Sequence, residues 1–327
     1  MKSFYDIIGQ SKIVEHLQTA IRTQQVSHAY IFNGEDGSGK KTLARIFAET
    51  LECEEGGINP CGKCHACHIS DSGNNPDIIT ITHEKSGSIS VDEIREQLIA
   101  DITIKPYYGR KKVYIVPDAT LMTVQAQNAL LKTIEEPPEY AVIILLTDNK
   151  NKLLSTILSR SLTLEIRPIK DTLVSEYLVK NKNINEYKAQ LTAAFARGNI
   201  GRALKLTDNE EFEEIKSEVI RVLSDISSMK MDEIMESVKT AVGFKEDIDD
   251  YLDLMLMWFR DVLLYKASGE DEGIIFAEEM SSVRRCAESF SFEKINLIIE
   301  KLMETKDKLA SNVNAELSIE TLLLSMK

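Results

Sequence analysis

The stretch from His28 to Leu51 limits what this chain can fold into more than any other. Ala29-Tyr30-Ile31-Phe32 reads as a buried strand, Gly34-Glu35-Asp36-Gly37-Ser38-Gly39-Lys40 as a tight turn, and Leu43, Ile46, Phe47 and Leu51 as one helical face. A strand that feeds a helix through glycines gathers free backbone N–H groups and a lysine at one point, the arrangement of a phosphate-binding loop. The template Gly-x-x-x-x-Gly-Lys-Ser/Thr is met at Gly34, Gly39 and Lys40 and fails at Lys41, which stands where a hydroxyl should hold Mg²⁺. Shifting the frame to Lys41-Thr42 puts Lys40 where only glycine lets the backbone pass close to phosphate. A cation about 4 Å from Mg²⁺ is opposed by roughly 4 kcal/mol at an effective dielectric near 20. Gly34, Gly37, Gly39 and Lys40 are therefore candidates for weak anion or nucleotide binding, against the alternative of a loop that only packs.

Hydrolysis requires a second half: an acidic pair at the end of an apolar strand, with the aspartate on Mg²⁺ and the glutamate on water. Here the strand Lys112-Val113-Tyr114-Ile115-Val116 ends in Pro117-Asp118-Ala119. Pro117 takes the place of the Mg²⁺ aspartate, and Asp118, one methylene short, that of the glutamate. Two lesions, at Lys41 and Pro117, strike the same ion, so ATP hydrolysis is not expected of this chain.

Along the chain, Ser11 is a plausible N-cap for a helix with Ile13, Val14, Leu17, Ala20 and Ile21 on one face. Asp77–Thr82 reads as a strand, and Ser90-Val91-Asp92-Glu93 is a capping box opening a helix to about Ile99. Val142–Leu146 is a buried strand, separated from Lys112–Val116 by a helix over Thr123–Glu135, and Ser161–Ile166 is a last short strand. About five strands alternating with helices predict an α/β domain over residues 1–167, a parallel sheet with helices on both faces and ligands at the strands' C-terminal ends. Beyond Pro168 the pattern is all helical. The Gly198-Asn199-Ile200-Gly201 break and the acidic stretch at Asp208–Glu211 divide it into a small domain, 168–208, and a C-terminal bundle, 209–327.

Four of the five cysteines, Cys53, Cys61, Cys64 and Cys67, follow the spacing C-x7-C-x2-C-x2-C, with Gly56-Gly57, Pro60 and Gly62 supplying turns. Four thiolates close a tetrahedron, so the spacing predicts structural zinc in a module over 53–67, with an iron–sulfur cluster as the alternative. The Cys-Pro that ends the ferredoxin run is absent. His65 and His68 are not needed as ligands and are expected to be exposed. The net charge of −13 argues against a chain that wraps nucleic acid over its whole surface. The opening residues show no apolar signal core and the apolar runs are too short for a membrane span, so the expected compartment is the cytosol.

Taken together, Phe4–Gln10, His28–Lys40, the four-cysteine insertion, Lys112–Ala119, Asn128–Pro138, Thr156–Ser161 and Asn312–Leu317 resemble bacterial clamp-loader AAA+ subunits of DNA polymerase III. The likeness spans nearly the whole chain, and the altered loop places it apart from the ATP-hydrolysing gamma/tau branch. The resemblance implies an AAA+ core, a helical lid and a C-terminal collar used in oligomerisation. It also implies a DNA polymerase (nucleotidyltransferase) holoenzyme subunit, itself neither ATPase nor polymerase, working with gamma/tau and delta subunits to place a sliding clamp on primed DNA. The family's Ser-Arg-Cys motif stands here as Ser159-Arg160-Ser161, so the resemblance gives Arg160 a catalytic role in trans, on ATP bound to a neighbouring subunit. From spacing alone Arg160 is a surface arginine or the partner of Glu165. A sensor position near Gly201-Arg202-Ala203-Leu204 keeps Arg202, which leaves weak nucleotide binding open. Two other readings stand against this one: an autonomous DNA-stimulated ATPase of the gamma/tau kind, and a zinc-dependent scaffold unrelated to replication.

Overall fold

In a computed structural model that describes residues 2–83 and 87–327, the chain divides into two compact units. The first holds the residues up to Leu173 together with Asn199–Gly201, and the second Val174–Gly198 with Arg202–Lys327.

Among the described residues of the first unit, five strands form one sheet: β1 (Ala29–Asn33), β2 (Ile78–Thr80), β3 (Lys112–Val116), β4 (Ala141–Thr147) and β5 (Leu162–Glu165). Their order is β2-β3-β4-β1-β5, and every pairing is parallel. The period of two sends alternate side chains to opposite faces. Ala29, Ile31, Tyr114, Val116, Ile143 and Leu145 pack on one side with Leu98, Leu130, Ile134 and Ile157. Tyr30, Phe32, Val113, Ile115, Val142 and Ile144 pack on the other with Leu17, Leu43 and Phe47. Burial on both faces explains why β4 reads as an unbroken apolar run, all seven of its residues being buried. In register, Asn33 lies opposite Thr147 on one side and Glu165 on the other, so β1, β4 and β5 end in one row.

The predicted strands are present, with β2 shorter than Asp77–Thr82. Asp77 is instead fully buried, and its carboxylate accepts the backbone N–H groups of Tyr107, Tyr108 and Gly109. The box at Ser90 forms as expected: Glu93 N–H donates to Ser90 Oγ at 3.2 Å, and Ser90 N–H to Glu93 Oε2 at 2.6 Å. Ser11 proves to be the first helical residue of Ser11–Arg22, with Gln10 in the cap position, and no side chain caps that end. The helix Val124–Glu135 is capped by Thr123, whose Oγ1 accepts from Ala126 N–H, and it ends just before Pro137-Pro138.

The second unit has helices and no strands among its described residues. Its central helix, Ile248–Ser268, buries Tyr251, Leu252, Leu254, Met255, Trp258, Phe259 and Val262. Burying a side chain of this size contributes about 1.5–3 kcal/mol, which makes this helix the core of the bundle. Asp261 on the same helix is fully buried, pairs with Arg260, and accepts N–H from Ile275 at 2.7 Å and Phe276 at 2.9 Å. No helix among the described residues is long and apolar enough to cross a membrane.

Candidate functional site

Strand β1 has a candidate site at each end. At its C-terminal end the glycine-rich turn opens the helix Lys40–Glu52, with Gly37 at φ 80° and Gly39 at φ 92°, a left-handed conformation that favours glycine. The loop has the shape of a phosphate cradle, and its polar groups are engaged with one another. Lys40 is only 4% exposed, and its Nζ donates to the carbonyls of Gly34 at 2.9 Å and Glu35 at 3.0 Å. Gly37 O accepts the N–H of Gly201 at 2.9 Å, and Asp36 O accepts from Asn199 Nδ2 at 2.7 Å, both within the first unit. A Cβ on Gly201 would stand 2.6 Å from Gly37 Cα, so only glycine admits this approach. Lys41 reaches the end of β3, where its Nζ lies 3.6 Å from Asp118 Oδ2. The lysine that replaces the Mg²⁺ hydroxyl thus meets the aspartate that replaces the glutamate, and an ammonium faces the carboxylate where a metal ion would be needed.

At the N-terminal end of β1, His28 faces an open groove of about 480 Å³ lined also by Ile134, Glu135, Ser159, Arg160, Ser161 and Leu162. The short helix Ser155–Leu158 sets Arg160 at the entry to β5. Its Nε lies 3.0 Å from Glu135 Oε1, and its Nη1 donates to Thr156 O and Ser159 Oγ, each at 3.2 Å. Glu165 is not its partner: that carboxylate binds Lys150 and accepts from Asn33 Nδ2 at 2.6 Å, at the opposite end of the sheet. The Lys150 bond first, then that of Asn33, hold Glu165 below its ordinary pKa. Gln127, which sequence reading passed over, ties the segment before Arg160 to the helix Val124–Glu135. Its buried amide donates to Met122 O and Lys152 O and accepts from Leu154 N–H. Glu135 was equally unmarked; its place at the helix end, just before two prolines, was the available signal.

The two sites are separated by the five residues of β1, about 16 Å at 3.3 Å per residue. Arg160 therefore does not share a pocket with the phosphate loop of its own chain. Arg202 belongs to the second unit, where its Nη2 bonds Asp250 Oδ1 at 3.1 Å and its guanidinium lies 4.7 Å from the Phe195 ring centre.

The four cysteines converge. The sulfurs of Cys53, Cys61, Cys64 and Cys67 all lie within 4.8 Å of one another, a set able to hold a metal ion. Cys64 caps the helix His65–Asp71 through Cys67 N–H at 3.3 Å, which carries Cys67 inward. Cys61 accepts the N–H groups of Lys63 and Cys64, and the Lys63 bond leads in lowering its pKa to about 7. Burial raises the Cys53 and Cys67 thiols instead. A dication offsets that cost by attracting all four thiolates. His65 and His68 are exposed and stand outside the sulfur cluster, as expected.

A parallel sheet in this order, with a glycine-rich turn after β1, defines a P-loop fold of the AAA+ type. The sequence matches the family described as DNA polymerase III, delta subunit, over residues 9–170, and its C-terminal counterpart over 211–327. It is 30% identical over 326 residues to the DNA polymerase III subunit delta' of Bacillus subtilis, covering 97% of this chain and 96% of that one. The DNA polymerase III subunit tau/gamma of Haemophilus influenzae is 37% identical over 213 residues, 63% of this chain and 30% of that longer protein. A gamma subunit-related protein of Thermotoga maritima has 22% identity and a TM-score of 0.41 over 95% of this chain and 98% of its own, too loose a likeness to argue from. The chain belongs to the DNA polymerase III delta-prime family of clamp-loader AAA+ subunits.

Proposed function

We propose that this chain works in a clamp loader as a subunit that does not hydrolyse ATP and that completes the ATP site of a neighbour. Its partners are then gamma/tau and delta subunits, through which it acts on a sliding clamp and primed DNA in the cytoplasm. Residues 168–208 serve as the lid and 209–327 as the collar. The observation that carries this reading is the opposed state of the two ends of β1. At one end Lys41 is paired with Asp118 and Lys40 is folded onto its own loop; at the other Arg160 faces an open groove. A planar guanidinium supplied in trans can bridge two phosphate oxygens of a nucleotide held by the adjacent subunit.

In the same reading the four cysteines hold zinc in a closed site with no catalytic position. The module 53–67 is then a metal-tied insertion, and the purified chain carries about one zinc per monomer. Elemental analysis checks this: no zinc, or iron with visible absorption, removes it.

The likeness to tau/gamma proteins favours an autonomous ATPase as the second reading. One experiment separates the two. ATP turnover by the isolated chain, with clamp and primed DNA added, stays at background under the first reading. Robust turnover free of contaminating ATPase supports the second.

A further inference from the structure

The ion pair between Glu135 and Arg160 is half exposed, with side chains 46% and 41% accessible. Pairs of this kind contribute about 0–1 kcal/mol to stability, so folding alone gives little reason for one at this place. Glu135 Oε1 lies 3.0 Å from Nε, on the guanidinium edge that Nε shares with Nη2, and Nη1 donates to Thr156 O and Ser159 Oγ. Nη2 has no partner among the described residues, and Arg160 and Glu135 both line the groove that His28 and Ser161 also line. Glu135 sits at the last turn of a helix ended by Pro137-Pro138, while Gln127 bonds the backbone at both Lys152 and Leu154, just ahead of the helix that delivers Arg160. The two elements that carry the carboxylate and the guanidinium are thereby tied to one another.

We propose that Glu135 is a positioning residue for Arg160. Its carboxylate, paired with the guanidinium on the Nε side, restricts the rotamers of the arginine and leaves Nη2 for the terminal phosphate of a nucleotide bound to the adjacent subunit. An arginine carries about 2 kcal/mol of rotamer entropy, and a pair already formed removes that cost from the moment of phosphoryl transfer. The carboxylate, neutralised by Nε, also avoids presenting a free negative charge to the incoming phosphate. This inference rests on the role in trans given above and adds the residue that sets its geometry.

The test uses the complete complex reconstituted from this chain with gamma/tau-type and delta-type subunits, clamp and primed DNA. ATP hydrolysis is measured for Glu135→Ala, Glu135→Gln, Arg160→Ala and the Glu135→Ala, Arg160→Ala double variant. Glu135→Ala is expected to lower kcat by about threefold to tenfold with KM unchanged, a fraction of the roughly hundredfold loss that misplacing a catalytic group by about 1 Å brings. Glu135→Gln keeps an oxygen that accepts from Nε and should recover part of the rate. The double variant should be no slower than Arg160→Ala, because Glu135 acts only through the arginine. A Glu135→Ala complex at the unmodified rate, beside an impaired Arg160→Ala complex, overturns the positioning role and leaves the role in trans standing. Losses that multiply in the double variant overturn it equally. An Arg160→Ala complex at the unmodified rate overturns both readings together.

Discussion

The two ends of β1 carry similar ingredients, cations beside backbone polar groups, and dispose of them in opposite ways. At the phosphate loop each lysine is matched within the chain: Lys40 by two loop carbonyls and Lys41 by Asp118. At the groove Arg160 is paired with the half-exposed Glu135, and its Nη2 has no partner among the described residues. The difference shows that a loop's shape and its chemistry are separable. The loop has the glycines that bend the backbone, with Lys41 and Pro117 at the positions the template gives to Mg²⁺ ligands. The groove lies at the far end of the sheet, away from the phosphate loop of its own chain.

The largest effect expected of any single change is at the groove. Arg160→Ala should lower clamp- and DNA-stimulated ATP hydrolysis by the reconstituted complex about 10³-fold, the lower end of what an arginine in trans supplies to GTPases. Zinc content and assembly should be unchanged, since only an exposed pair and two surface hydrogen bonds are lost. Arg160→Lys should not restore the rate fully, because an ammonium lacks the planar fork. Steady-state kinetics of the complex decide the point, and clamp loading at the unmodified rate would break the contrast between the two ends.

The complementary change is at the loop. Lys41→Thr removes the ammonium from the Mg²⁺ position, and Pro117→Asp supplies a carboxylate at the end of β3. The double variant should bind ATP about tenfold tighter in Mg²⁺ than in EDTA, a modest share of the roughly 4 kcal/mol repulsion lifted when the cation leaves. Lys41→Thr alone should gain less, with Asp118 still off the metal position. Calorimetric titration of the isolated chain measures both, and equal affinities with and without Mg²⁺ would show that the loop is closed by more than its two altered ligands.

The sequence made one end of β1 far more legible than the other. Glycine spacing, the wrong residue at Lys41 and the proline at Pro117 are local facts, and the Lys41–Asp118 pair follows the two positions they mark. The sheet was legible for a similar reason: strands buried on both faces leave continuous apolar runs, as β3 and β4 do. Strand β2 came out shorter at both ends: the carboxylate of Asp77, its expected first residue, is consumed by three backbone N–H groups of a loop 30 residues away, and beyond Thr80 the N–H of Thr82 donates to Gln97 Oε1. The partner of Arg160 was not legible. Glu165 is nearer in sequence, but parallel pairing puts it at the far end of β5, beside Asn33, whereas Glu135 arrives from a different helix. Pairings made across elements depend on register and helix ends, and no spacing within one segment encodes them.

The smallest effect concerns Glu165 itself, the ion pair at the loop end of the sheet. Its pKa lies below the ordinary 4.5 because the carboxylate is bound by Lys150 and Asn33. Between the folded and unfolded values the unfolded chain binds more protons, so this pair's contribution is complete above the unfolded pKa and is lost as pH falls through the folded one. Glu165 and Lys150 are 40% and 41% exposed, which screens the pair and limits the contribution to less than about 1 kcal/mol. Glu165→Gln keeps an acceptor for Asn33 and removes the charge, so it should flatten that part of the acid limb of a denaturant-unfolding series without changing stability by more than this. ATP hydrolysis by the reconstituted complex, to which Arg160 is proposed to contribute, should be untouched, because the two carboxylates stand at opposite ends of the sheet. A Glu165→Gln complex with the Arg160→Ala phenotype would mean that the two ends are coupled through β5 and that the contrast between them is too sharply drawn.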